Sequence, residues 1–331
     1  MEAILEKPEG RRFLPLSIDL LVPRSPFNAD IYFKVRDEMV LFRKRGLPLT
    51  QRRINIWREM GVKWVYLDAD DHRVYLEFLQ QRLPAIMQDE RKTLEEKARF
   101  LYSLAGSFFE EMTTSFDHEA VQKGEWMVRE VTKYLHAKGV KLGKKVIKMM
   151  SHDFATYVHL NNVFFLAATF AVHRKLPPRE VERIGLAAVF HDIGKERVDS
   201  RILQKPGKLD PQEWKEMKKH PILSRQELEQ AGCRDQEILD IVQQHHETLD
   251  GKGYPEGLKD GEIHPYARLI QVCDIFEALC GIRPYRRPFT PFEALKLMKE
   301  EMKGKIDWEL YRDFVRFLGP EYYSKLLKRR P

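Results

Sequence analysis

The residues best equipped for chemistry lie in the run His245-His246-Glu247-Thr248-Leu249-Asp250-Gly251-Lys252-Gly253-Tyr254-Pro255. Imidazole is the commonest protein metal ligand near neutral pH. Adjacent histidines on a helix point about 100° apart, so both serve one site only at a helix end or in a cleft between metals. Gly251 and Gly253 let the following loop turn sharply and come close to a ligand. Upstream, His191-Asp192 follows the apolar run Leu186–Phe190 and precedes Ile193-Gly194-Lys195. Such a pair at the end of a buried helix is costly unless its charge is partnered or metal-bound. Asp274 is likewise set in an apolar stretch, Leu269 to Phe276. One buried carboxylate is a weak signal, but beside the two pairs it forms a pattern that points to metal ligation. His159 shares a helical face with His152, Thr156 and Val163, and by itself reads as an ordinary core or surface histidine.

These residues need helices to hold them. Apolar spacing predicts helices near 152–174, 178–193, 211–230, 235–246, 265–281, 291–303 and 307–317. Pro177-Pro178 opens the second of these. Eight of the eleven histidines fall in this half, which reads as all-α apart from the loop at 248–264. Before it, 95–111 and 118–136 keep three- and four-residue apolar spacing and read as a helical connector over 89–137. Residues 1–88 read as a small α+β regulatory or docking domain. Its strands fall at 12–21, 30–35, 39–42 and 63–67, with a helix over 49–60. It shows no catalytic constellation.

The chain has 331 residues and a net charge of +7, enough length for two domains and a sizeable core. Basic clusters at 43–58 and 138–148 read as solvated faces. They lack the aromatic interleaving of a nucleic-acid groove, so no nucleic-acid polymer is expected as a partner. No apolar run is long enough to span a membrane, and the acidic N-terminus does not resemble a signal peptide. Cys233, Cys273 and Cys280 have no metal-like or disulfide-like spacing. A cytoplasmic protein is the expectation.

The segment His191-Asp192-Ile193-Gly194-Lys195 resembles the HD motif of the HD phosphohydrolase superfamily. The HHE…DGKGYP run resembles the signature of its HD-GYP branch. His220-Pro221, Asp274 and Arg283-Pro284-Tyr285-Arg286 fall in that family's order and approximate spacing. The resemblance covers about 140–331 and leaves 1–88 untouched. It implies a mainly α architecture, an HD-GYP helical bundle over 138–331 with a metal centre. The implied activity is a phosphodiesterase opening cyclic di-GMP to pGpG, and onward to GMP, in bacterial second-messenger signalling. The family's ligand positions map onto His159, His191, Asp192, His220, His245, His246 and Asp274. By analogy Asp192 bridges two metals. His159, His191 and Asp274 complete one, and His220, His245 and His246 the other.

Two metals can clamp a phosphodiester, neutralise its developing charge and turn bound water into hydroxide. Mixed imidazole and carboxylate ligands favour iron, manganese, cobalt, nickel or zinc over magnesium or calcium; two divalent ions, iron first and manganese as alternative, are the expectation. Within the resemblance, Asp192 and Lys195 take catalytic roles. Lys195, Tyr254, Arg283 and Arg286 contact substrate, while Glu247 and Asp250 orient ligand histidines. His152, His173 and His264 read as structural. Some members carry a third-metal glutamate four residues before the histidine matching His159. Here that residue is Ala155, so a dinuclear centre is expected. Cys273 and Thr248-Leu249 also depart from the usual pattern without removing a ligand. Two alternatives stay open: a weakly active or inactive adaptor that binds cyclic di-GMP, and a hydrolase of another cyclic dinucleotide such as cyclic GMP–AMP. An input or protein partner at residues 1–88 and a homodimer are further expectations.

Overall fold

In the computed structural model, the described residues are 13–18, 21, 28–35, 38–62, 64–113, 116–150, 156–205, 207–282 and 287–320. The chain divides into two compact units, 1–111 and 112–331. The division falls inside the stretch read as a connector.

In the first unit, β1 (Phe13–Ser17), β2 (Ile31–Val35), β3 (Glu38–Arg43) and β4 (Trp64–Asp68) form an antiparallel sheet in the order β1-β4-β2-β3. The β2–β3 hairpin brings Val35 opposite Glu38. Helix α1 (Gln51–Glu59) starts at Thr50, whose hydroxyl accepts from the Arg53 N–H. It buries Ile54 and Trp57, and the Trp57 ring meets Phe33 and Phe42 edge-on. Arg43 is buried and donates to the carbonyls of Ala29 and Leu47. Helix α2 (His72–Gln88) lies in a stretch the sequence left unassigned. Pro84 argues against a helix there, yet α2 continues four residues past it. Helix α3 (Leu94–Met112) closes this unit.

The second unit is helical: α4 (His118–Lys138), α5 (Val140–Ile147), α6 (Thr156–His173), α7 (Pro178–Phe190), α8 (Ser200–Leu203), α9 (Pro211–Met217), α10 (His220–Gln230), α11 (Gln236–Gln244), α12 (Pro265–Cys280), α13 (Pro291–Glu301) and α14 (Trp308–Leu318). Helix α6 is central. Val163, Phe164, Phe165, Ala167, Ala168 and Phe170 are wholly buried, so apolar contacts surround it rather than line one stripe. Each buried phenylalanine contributes about 2–3 kcal/mol by removal from water. Helix α12 packs on α6 and buries Leu269, Ile270, Val272 and Cys273. These two helices carry polar residues inward at one end of the bundle.

Two predicted helices are shorter than the periodicity suggested, and both breaks fall at the site. The helix expected over 178–193 ends at Phe190, with His191 as its C-cap and a 3-10 turn over Ile193–Arg197. The helix expected over 211–230 is two, α9 and α10, separated by Lys218-Lys219. Pro221 lacks an N–H and fits a helix only in its first turn. The break therefore sets His220 at the start of α10.

Candidate metal centre

Three histidines sit where helices end, and helix ends leave carbonyls without partners. His191 Nδ1 donates to the Ala188 carbonyl at 2.8 Å, His220 Nδ1 to Met217 at 2.8 Å, and His245 Nδ1 to Val242 at 2.6 Å. In each case the acceptor is three residues back, in the last turn of α7, α9 or α11. A carbonyl only accepts, so Nδ1 carries the proton and Nε2 keeps its lone pair. All three Nε2 atoms face Asp192, at 3.4 Å from His191, 3.2 Å from His220 and 3.8 Å from His245. The fourth ring, His246, packs against His245 and His220 with centroids 4.1 and 5.0 Å away.

His159, on α6, approaches the same carboxylate from the other side. Its Nε2 is 3.4 Å from Asp192 Oδ2 and 3.2 Å from Asp274 Oδ1. Its Nδ1 is held by Glu277, whose other oxygen accepts from Asn162 Nδ2 at 2.8 Å. The result is two clusters sharing Asp192: Asp192, His220, His245 and His246, and His159, His191 and Asp192. Asp274 adds to the second, 4.0 Å from His191 Nε2. The structure thus brings together all seven residues singled out as ligands from the sequence.

These residues fit a divalent metal. The lone pairs on His220 Nε2 and His245 Nε2 face each other at 3.4 Å. His191 Nε2 is buried and makes no hydrogen bond. Such an arrangement of buried acceptors is unfavourable without a cation. Electrostatics agree. Burial, reinforced by neighbouring imidazoles, pushes His245 well below its ordinary pKa. Burial lowers His246 to about 3 and lowers His191. Burial works against the Asp192 and Asp274 carboxylates, but Lys195 and the imidazoles hold Asp192 well below the usual range, and the imidazoles, His159 first, hold Asp274 below it. Burial alone would lower His159, yet Glu277, Asp192 and Asp274 together raise it well above. Neutral imidazoles and ionised carboxylates are the forms that bind metal, so His191, His245, His246 and both aspartates are already in them, whereas His159 gives up a proton when a metal binds.

A pH dependence follows for the metal-free protein. From about 6.5 down to about 3, the unfolded chain takes up protons on His191, His245 and His246 that the folded chain refuses. Stability therefore falls as pH decreases through that window. The contribution of His159 has the opposite sign and is lost as pH rises through its raised value. Melting curves of chelator-treated protein should show Tm falling from pH 7 to pH 4, and an unchanged Tm contradicts these protonation states.

The HD motif is locked to α10. Ser224 Oγ accepts from the Gly194 N–H and donates to the His191 carbonyl, both at 2.8 Å. A Cβ on Gly194 would lie 2.4 Å from the His220 carbonyl oxygen, so only glycine allows this approach. Lys195, next in the turn, bonds its ammonium to Asp192 Oδ2.

Glu247 and Asp250 do not orient ligand histidines, contrary to expectation. Glu247 is turned toward the loop that follows it. Its oxygens accept from the N–H groups of Glu256, Gly257 and Leu258 at 2.7, 3.1 and 3.0 Å, and burial raises its pKa. Asp250 is exposed and accepts from the Thr248 hydroxyl and the Lys252 N–H. Both shape the GYP loop, with Gln271 bonded to the Glu247 carbonyl from α12. That loop folds tightly enough that a Cβ on Gly253 would lie 2.3 Å from Thr248 N and 2.5 Å from Glu247 Cα. Gly253→Ala must displace backbone, at a cost of roughly 1–3 kcal/mol. Urea denaturation should show that loss, and a variant as stable as the parent contradicts the packing. The loop lays the Tyr254 ring on His246, centroids 4.8 Å apart. Burial, with Asp192 and Asp274 nearby, raises the Tyr254 phenol, keeping it a neutral hydrogen-bond donor.

Arg283 and Arg286 lie outside the described residues, as do His152 and Ala155. His173 is pushed down by burial and by Lys144, and its ring packs on Phe170 and Phe317. His264 caps α12 by accepting from the Tyr266 N–H. The residues that sequence reasoning missed are Glu277, Asn162, Gln271 and Ser224. One trace was readable: Asp274-x-x-Glu277 and His159-x-x-Asn162 each place two polar groups on one face of an apolar helix.

Comparison with known proteins agrees with this geometry. The family model for the HD domain matches residues 142–310, just over half of the chain. A cyclic di-GMP phosphodiesterase of Pseudomonas aeruginosa is 36% identical over 176 residues, covering 53% of this chain and 42% of that protein. A 3′3′-cGAMP-specific phosphodiesterase of Vibrio cholerae is 38% identical over 162 residues, 48% of this chain and 35% of that protein. A cyclic di-GMP phosphodiesterase of Thermotoga maritima is 34% identical over 165 residues, covering 49% and 45%. The chain thus spans less than half the length of these relatives. The solved structure of an HDG“Y”P protein from Bdellovibrio bacteriovorus shares the fold, with a TM-score of 0.68 and 20% identity over 93% of this chain and 99% of that one. With the HD pair, the HHE…GYP run and the Asp192-centred clusters in place, the chain belongs to the HD-GYP family of HD-domain proteins.

Proposed function

We propose that this protein is a dinuclear-metal phosphodiesterase that hydrolyses cyclic di-GMP to pGpG, and further to GMP. The observation that carries this reading is Asp192, one carboxylate shared by two imidazole clusters. His159, His191, Asp192 and Asp274 would hold one ion, and Asp192, His220, His245 and His246 the other. Among the transition metals that this donor set suits, we assign iron first and manganese second. When bound, the two ions supply positive charge at the phosphodiester and lower the pKa of water at the site. The protein's own groups do the rest. Helix-end carbonyls hold three imidazoles in one tautomer, and Glu277 does so for His159. Lys195 presents a cation to the phosphate, and Tyr254 offers a phenolic proton at the rim. Arg283 and Arg286 are assigned to phosphate oxygens on the family resemblance. One hydrolysis adds water across a single P–O3′ bond, leaving a 3′-hydroxyl and a 5′-phosphate, and thus linear pGpG.

Cyclic GMP–AMP is the second reading, favoured by the similarly identical Vibrio cholerae relative. We assign 138–331 to the hydrolase, 89–137 to a connector and 1–88 to an input or docking unit. The first unit exposes Phe42, Leu47, Met60 and Trp64, which suits a protein partner or a second copy. Cys233, Cys273 and Cys280 are all buried free thiols, in keeping with a reducing cytoplasm. No helix among the described residues is long and apolar enough to cross a membrane.

The test is anaerobic incubation of iron- or manganese-loaded protein with cyclic di-GMP and, separately, cyclic GMP–AMP, with products separated by chromatography. pGpG or GMP from cyclic di-GMP is expected. Turnover of cyclic GMP–AMP alone selects the second reading. Intact nucleotides in the presence of bound metal contradict both and favour an adaptor.

A further inference from the structure

Helix α9, like the single-turn α8 before it, has no buried residue. It is nevertheless firmly placed. Asp210 and Glu213 form a capping box, Pro211 starts the helix, and Lys205 bonds Glu213 at 2.7 Å. What this small helix presents is Trp214, 44% exposed. A single exposed indole is ordinary in itself; its neighbours are what set this one apart. The Trp214 ring stands edge-to-face with Tyr254, centroids 6.1 Å apart, and Tyr254 in turn lies on His246. Trp214 is thus one ring removed from the metal-ligating imidazoles. One turn later, the Lys218 ammonium sits 5.8 Å from the Trp214 ring and 5.9 Å from Tyr254. Among the described residues Lys218 makes no ion pair with a carboxylate. An exposed indole beside an uncompensated cation, at the edge of a phosphate-handling centre, has the chemistry of a nucleobase stacking site.

We propose that Trp214 is the platform on which a nucleobase of the substrate stacks, with Lys218 drawing the attached phosphate toward the rim. The proposal rests on the reading of the site as a cyclic-dinucleotide hydrolase. It assigns to Trp214 base recognition, separate from the bond-breaking groups around Asp192. Stacking tolerates any base, so this platform secures affinity and leaves the guanine–adenine choice to other contacts.

Calorimetric titration of the metal-loaded full chain with cyclic di-GMP, GMP and ribose 5-phosphate tests it, alongside steady-state kinetics on cyclic di-GMP. Trp214→Ala is expected to weaken cyclic di-GMP and GMP by about 5- to 100-fold, the range for losing one stacked base. Ribose 5-phosphate, which has no base, should bind as before. KM should rise with kcat changed much less, and Trp214→Phe should restore binding to within about threefold, because a phenyl ring still stacks. Unchanged nucleotide affinity in Trp214→Ala overturns the proposal. So does an equal loss for ribose 5-phosphate, which marks general damage to the site. If the parent protein binds nucleotides in this Trp214-dependent way but hydrolyses none, the platform stands and the hydrolase reading falls. If it hydrolyses cyclic di-GMP with Trp214→Ala indistinguishable from the parent, the reverse holds.

Discussion

Replacing Asp192 by alanine is expected to abolish turnover, by about a thousandfold or more. Its carboxylate is the one group common to both imidazole clusters, so both metal positions lose a ligand at once. Metals of this kind contribute several kcal/mol to charge stabilisation in the transition state, and about 4 kcal/mol corresponds to three orders of magnitude. The variant also leaves Lys195 without its carboxylate partner, so Asp192→Asn serves as a second test. The amide keeps the shape and removes the charge. Both variants should retain the helical circular dichroism of the parent while pGpG production falls to background. Residual activity above one-tenth of the parent in Asp192→Asn contradicts a bridging role.

The second large effect is expected at Glu277, a residue outside every motif. Its carboxylate holds His159 Nδ1 and is itself fixed by Asn162. A carboxylate behind a ligand imidazole sets the ring's orientation and raises its basicity. Losing such a partner typically costs 10- to 100-fold in metal affinity or activity. Glu277→Gln keeps the size and removes the charge, so metal affinity measured by competition with a chelator should fall within that range. The position formed by His220, His245 and His246 should retain its ion. Metal affinity within twofold of the parent removes Glu277 from the centre.

The contrast between these two residues shows what was legible in the sequence. His191-Asp192, His220-Pro221 and His245-His246 stand as contiguous pairs, and their order along the chain matches a known pattern. Five of the seven candidate ligands stand in these pairs, and His159 and Asp274 join them only through the order of the family's pattern. Glu277 is a single glutamate three residues after Asp274 in a largely apolar helix, a spacing that puts it on the same face and names no partner. Only the packing of α12 on α6 reveals that it points at His159. The helix-end carbonyls that fix three imidazoles were hidden for a related reason. Apolar periodicity runs through 178–193 and 211–230 without interruption, whereas the backbone breaks at His191 and before His220. Those breaks are set by the HD turn docking on α10 through Gly194 and by Pro221 at a helix start, a tertiary and a stereochemical constraint that a hydrophobic pattern does not record. Glu247 and Asp250 show the converse. Adjacency to the histidines suggested that they orient imidazoles. Their oxygens instead satisfy loop N–H groups at Lys252 and at Glu256, Gly257 and Leu258, and leave the rings to backbone carbonyls. In the first unit, alternation located all four strands, while Pro84 obscured α2.

The central claim is that one aspartate joins two metal positions. Elemental analysis of protein purified anaerobically and reloaded with iron or manganese tests it most directly. Two ions per chain are expected for the parent, with a marked loss in Asp192→Ala. A parent that holds one ion or none at saturation, or an Asp192→Ala variant that still holds two, contradicts the account.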